Sequence, residues 1–174
     1  MAFQTQSYAE QALGVAGDIS KGFHNYAVTQ PVICADDKVS VGCFVQSKAD
    51  ATNELEVVGA SGVAITGRIL GVVVRDHLTA NCSQTNTGLI YPKGENATII
   101  TSGSVFIKTE AQAKKWQYVL LDTATGAMEF SNTMWADNKT YTGWIVTKGN
   151  AKAEDGVIEI STSNATTIAT KPTA

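Results

Sequence analysis

The chain has 174 residues, of which 44% are hydrophobic and 17% charged, and its formal net charge is −3. A chain of this length buries about 70% of the surface its unfolded form exposes, so it needs neither disulfides nor metal to hold a core. Lys114-Lys115 is the only adjacent basic pair, which argues against nucleic acid as a partner, and no apolar run approaches the ~18–20 residues of a membrane span.

Residues 1–30 lack a clean period. Tyr8-Ala-Glu-Gln-Ala-Leu13 suffices for one or two helical turns, but Gly14, Gly17 and Gly22 stop them. The segment reads as an extended arm. Its start shows no basic region followed by an apolar core, so no signal peptide is expected. Cys34, Cys43 and Cys82 are odd in number and form no C-x-x-C, which predicts reduced, buried thiols. The N-x-S/T matches at Asn81, Asn96, Asn138 and Asn164 are then chance products of a Thr- and Asn-rich chain.

From residue 31 the pattern changes to short Val-, Ile- and Thr-rich runs bounded by Gly, Asp and Asn. Val39-Ser-Val41-Gly-Cys43-Phe-Val45 alternates with period two, which predicts a strand with Val39, Val41, Cys43 and Val45 on one face. Ile69-Leu-Gly-Val-Val-Val74 is a continuous apolar run, as in a strand covered on both sides. Thr98–Thr101 and Ser104–Lys108 read as a hairpin around Ser102-Gly103. Tyr118–Leu121 and Ala127–Phe130 read as another, around Asp122-Thr-Ala-Thr-Gly126. Gly143–Thr147 and Gly156–Ile160 supply the last two strands.

About nine or ten strands, with turn signals every 8–12 residues or so, predict an all-β fold. The expected architecture is a single β-sandwich, jelly-roll-like or β-barrel-like domain over 31–161, with an extended N-terminal arm over 1–30. A polar C-terminal tail, mostly Thr, Ser and Ala, spans 162–174 and is too apolar-poor to fold alone.

Catalytic and metal-binding patterns are thin. His24 and His77 lack a nucleophile-turn motif, and no C-x-x-C or H-x-x-x-H pair offers a zinc site. The acid pairs Asp36-Asp37 and Glu154-Asp155 precede strand-like runs and read as turn chemistry. Gly62-Val-Ala-Ile-Thr-Gly67-Arg68 lacks the Lys and Ser/Thr of a phosphate-binding loop. Gly59, Gly62, Gly67 and Gly71 read instead as turns and bends between packed strands. Trp144 and Phe106 are expected in the core and Trp135 anchoring its own loop. A sugar platform built on Trp135 and Tyr141 is the less favoured reading. No catalytic residue, metal site or cofactor is assigned.

The succession of motifs carries a resemblance. Gln11-Ala-Leu-Gly14-Val-Ala-Gly17-Asp18 is similar to the opening of phage structural cement proteins. Gly62-Val-Ala-Ile-Thr-Gly67-Arg-Ile-Leu-Gly71-Val-Val-Val-Arg75 resembles that family's central segment, where a strand ends in an arginine. Tyr91-Pro-Lys-Gly94 through Gly103-Ser-Val-Phe-Ile107, then Tyr118–Leu121 and Thr125-Gly126-Ala127, resemble its following blocks. The likeness runs in order over about residues 8–130. It departs at Val105-Phe106, where the family often has an aromatic such as Trp, and at Trp116-Gln117, where Gly-Gln is typical.

The resemblance implies a non-enzymatic decoration (cement) protein on the outer surface of an icosahedral phage head, made in the bacterial host cytoplasm. Its expected partners are the major capsid protein and further copies of itself, as a homo-dimer or homo-trimer, with neither nucleic acid nor membrane. The arm residues Phe3, Tyr8, Leu13 and Val15 are the candidate capsid-binding side chains. The alternative is a carbohydrate-binding head-fibre or tail component that contacts the host surface.

Overall fold

The structure is a computed structural model that describes residues 14–20, 27–28, 31–50, 55–75, 83–85, 88–150 and 156–162. Among the described residues fourteen strands follow one another: β1 (Ala27–Val28), β2 (Val32–Cys34), β3 (Phe44–Ser47), β4 (Glu56–Gly59), β5 (Ile69–Val73), β6 (Ser83–Thr85) and β7 (Gly88–Ile90); then β8 (Asn96–Ala97), β9 (Ile99–Ser102), β10 (Ser104–Lys108), β11 (Tyr118–Asp122), β12 (Met128–Ser131), β13 (Lys139–Lys148) and β14 (Val157–Thr162). No helix occurs among the described residues. The all-β expectation holds.

A seven-stranded sheet runs β1-β9-β5-β3-β4-β2-β8, a five-stranded sheet runs β10-β14-β13-β11-β12, and β6 pairs with β7. Two cores result. Between the large sheets lie Phe44, Val72 and Ile100 from one and Val105, Ile107, Val119, Leu121, Trp144, Val146, Ile158 and Ile160 from the other. The second core fills the opposite face of the seven-stranded sheet with Val45, Val57, Val73, Ile99, Cys34 and Tyr91. That sheet is therefore buried on both faces, which is why β5 is a continuous apolar run: Val72 enters the first core and Val73 the second. Gly71 sits where β9 passes close by, since a Cβ there would stand 2.2 Å from Ile100 O.

Three local expectations change. The pair 98–101 and 104–108 is not a hairpin, because β9 pairs with β5 and β1 while β10 pairs with β14 in the other sheet. Gly103 alone makes the corner, with a φ of +122 that a side chain would disfavour. Thr162 clasps this corner: its N–H donates to Gly103 O at 2.9 Å, and its Oγ1 accepts from Gly103 N at 3.1 Å.

The second change concerns 39–45. The strand begins only at Phe44, because Gly42 turns the chain at φ +76. Val39, Val41 and Val45 still reach one core, while Cys43 is half-buried. Residues 39–41 run beside β7, with Val41 N donating to Leu89 O and Tyr91 N to Val39 O. Alternation there reports a shared core rather than one unbroken strand. Third, Phe106 lies on the outer face of β10 and only half-buried, whereas Trp144 fills the inter-sheet core as expected, 2% exposed.

The predicted hairpin of β11 and β12 is present, as is antiparallel pairing of β13 with β14. Its turn is organised by Asp122, whose Oδ1 accepts from the Thr125 amide and hydroxyl, both at 2.8 Å, and from Ala124 N at 3.0 Å. Gly126 then presses against the 60–63 loop, where a Cβ would lie 2.1 Å from Ala60 O. The hairpin tip is thus fixed to a loop of the other sheet.

Candidate functional site

Of the expected arm contacts, Phe3, Tyr8 and Leu13 lie outside the described residues, while Val15 is described and 52% exposed. The segment around Val15 is held by the body. Gly17 N donates to Phe106 O at 2.7 Å, Phe106 N to Asp18 O at 3.0 Å and Ser20 N to Ser104 O at 3.0 Å, so residues 17–20 line the free edge of β10. An edge strand offers unpaired amides and carbonyls, and this segment takes them up. Glycines make the fit possible. Gly14 lies on the Phe106 ring, 2.6 Å from where a Cβ would stand, and Gly17 (φ +89) is wedged against Val41 and Gly42. Arg75 adds a half-exposed ion pair to Asp18 at 3.3 Å, worth little alone, and donates its amide to Gly17 O at 2.8 Å.

The candidate chemistry resolves into structure. Asp36 Oδ1 accepts from Lys38 N at 3.1 Å and Gly59 N at 3.2 Å, and Asp37 Oδ1 accepts from Lys93 N at 2.7 Å, as turn-forming carboxylates do. His24, His77, Cys82, Glu154 and Asp155 lie outside the described residues. Cys34 and Cys43 are free thiols, and burial pushes the Cys43 thiol up, which disfavours the nucleophilic thiolate. Among the described residues no three His, Cys, Asp or Glu side chains gather as metal ligands, and no helix is long and apolar enough to cross a membrane. The Tyr141 ring meets Tyr118 edge-on, with 5.5 Å between centroids and 90° between planes.

Charge concentrates at two places on the five-stranded sheet. On β11–β13, Lys139 Nζ donates to Asp122 Oδ2 at 2.7 Å and to Glu129 Oε1 at 2.5 Å. The Lys139 ammonium first, and then the Thr125 hydroxyl and amide, hold the Asp122 carboxyl far below the usual carboxylate range. A folded-state pKa depressed in this way contributes stability above the ordinary carboxylate value, and that stability fades as pH falls toward the depressed one. Asp122→Asn is therefore expected to destabilise the protein at neutral pH, with the deficit relative to wild type shrinking below about pH 4. Parallel urea titrations at both pH values read this directly; a pH-independent deficit would contradict it.

The other place is the 109–117 segment, which joins β10 to β11 and carries Lys114, Lys115 and Trp116, all exposed. In the sequence the unusual Trp116-Gln117 pair is the one signal that marks this segment.

The family model for the structural cement protein (E217 gp24/Pam3 gp6) matches residues 3–163. The chain belongs to the phage structural cement protein family. The match takes in both large sheets and reaches past residue 130, where the motif succession ends. A cement protein is a structural component of the phage capsid, and membership carries with it a place in the virion among capsid proteins. A solved structure titled "The capsid of Myoviridae Phage XM1" contains a chain similar in fold, with a TM-score of 0.59 and 17% identity over 94% of this chain and 99% of that one. At that identity the likeness concerns the fold alone. No curated protein matches.

Proposed function

We propose that the protein decorates the outer surface of an icosahedral phage head, bridges neighbouring major capsid subunits and stabilises the shell, without catalysing a reaction. The family match across residues 3–163 is the observation that carries this reading. The physics of the fold supports it. Two sheets sharing one inter-sheet core make a stiff body, and a stiff body spanning a seam raises the cost of separating the subunits beneath it. Many copies on a symmetric lattice each contribute, so no single contact has to be large. A homo-dimer or homo-trimer on a symmetry axis is the matching geometry. The arm residues Phe3, Tyr8, Leu13 and Val15 are the proposed capsid anchors; of these Val15 is described and exposed, two residues before the segment 17–20 that lines β10.

The test uses expanded heads assembled without the protein. Added back, the purified chain is expected to co-sediment with them and to raise the temperature at which they release DNA or dissociate. A chain lacking residues 1–15 is expected to lose attachment while keeping one cooperative unfolding transition. Heads that neither bind the full chain nor gain heat resistance would refute the reading.

A further inference from the structure

Trp116 is the most exposed large apolar side chain of the described residues, at 63%. Its backbone φ of +74 is one that residues with a side chain rarely adopt. Exposure and strain both cost the fold, and strain persists only where the surroundings over-determine it.

The surroundings here do so. Trp116 N donates to Val146 O at 2.7 Å, and Val146 N donates to Gln117 O at 2.8 Å, which ties the tip to β13. Gln117 Oε1 accepts from Lys114 N at 2.7 Å and closes the turn on itself. Buried Asn150 clamps the base of the segment: its Oδ1 accepts from Ala113 N at 2.7 Å and its Nδ2 donates to Ala111 O at 3.3 Å. The tryptophan is displayed on a fixed turn, so little ordering remains to be done when a partner arrives.

The charge around it is inverted relative to the whole. The chain carries −3, yet exposed Lys108, Lys114, Lys115 and Lys148 share this end of the five-stranded sheet, against Glu110 and Glu159. Lys148 pairs in register with Glu159, and Lys108 with Val157 on the same strand. Gly149 lies beneath the Lys114 backbone, where a Cβ would stand 3.2 Å from Lys114 Cα. Lys115 Nζ rests 4.8 Å from the Trp116 ring centroid.

We propose that this tip is a docking surface for an acidic, carboxylate-bearing patch on a capsid protein, with Trp116 as its apolar anchor and the lysines as its polar rim. Buried aromatic anchors dominate the energetics of protein contacts, while rim charges steer the partner and set the salt dependence. A long polyphosphate suits the tip less well, since it requires a basic stripe and is repelled by the acidic remainder of the chain. The inference rests on the capsid reading above and names the surface that makes the contact.

The experiment compares full-length wild type with Trp116→Gly, which relieves the backbone strain and so keeps the fold, and with Lys114→Glu/Lys115→Glu. Each is titrated onto cement-free heads at two salt concentrations. Trp116→Gly is expected to weaken binding by about 30-fold or more. The double charge reversal is expected to weaken it and to flatten its salt dependence. If wild type binds and both variants bind equally well, this inference fails while the capsid reading stands. If wild type does not bind, the capsid reading fails and takes this inference with it. Two further outcomes would also overturn the inference. One is lysine-dependent binding of a short DNA duplex at physiological salt. The other is that Trp116→Gly dissociates an oligomer without changing affinity for heads.

Discussion

Replacing Trp144 by alanine is expected to lower folding stability by about 3–5 kcal/mol, among the larger effects any single substitution can have. Trp144 is 2% exposed and projects from β13 into the core shared by the two large sheets. Its ring meets Phe44 of the opposite sheet edge-on, with centroids 6.4 Å apart and planes at 76°. That geometry adds to the energy of burial, because the edge of one ring faces the electron-rich face of the other. Truncation opens a void between sheets that are each held rigid by their own ladders, so the walls relax only in part. Urea unfolding followed by circular dichroism is expected to show a lower midpoint with an unchanged slope. A loss below about 1 kcal/mol would mean that the two sheets do not depend on this contact.

Gln46→Leu is expected to cost about 2–5 kcal/mol although leucine is close to glutamine in size, because four backbone groups lose their partner at once. The Gln46 side chain is buried, 1% exposed, and uses every hydrogen-bonding position it has. Its Nε2 donates to Gly59 O at 3.3 Å and Ala64 O at 3.0 Å, and its Oε1 accepts from Thr66 N and Gly67 N, both at 2.8 Å. One amide thus fastens the 60–67 loop to β3. The same loop receives the β11–β12 turn, with Ile65 N donating to Thr123 O at 2.8 Å, so its loosening is expected to reach the other sheet. Hydrogen exchange at the Thr66 and Gly67 amides is expected to accelerate sharply in the variant. Unchanged protection there would show that the loop is held by other means.

Periodicity and turn residues made much of this fold legible. Runs such as Ile69–Val73 and Val157–Thr162 hold the side chains that a sheet must bury, and Asp122 through Gly126 is a turn by its chemistry alone. What escaped was decided by tertiary context. Gly103 reads as half of a hairpin turn, but it becomes a corner because β9 and β10 find their partners in different sheets. Phe106 alternates with Val105 and Ile107 and so had to leave the core once those two entered it; it is covered instead by Gly14. Gln46 looks in sequence like any polar residue on a strand, and three of its four bonds depend on a loop some twenty residues further on.

The candidate contact surface was legible only in part. Glycines and the lack of a period set residues 14–20 apart from the regular strands, yet nothing local announces that residues 17–20 complete the edge of β10. Trp116 stood out as an unusual residue beside Gln117. Its meaning comes from a backbone φ of +74, a conformation that glycine takes freely and tryptophan does not.

The most direct measurement is an electron cryo-microscopy difference map between heads with and without the protein. Under the cement reading, two-sheet densities are expected on the outer face of the shell, each straddling a boundary between capsid subunits, with the Trp116 turn directed at a neighbour. Density confined to the inner face, to a tail or fibre, or to the middle of a single subunit would contradict it.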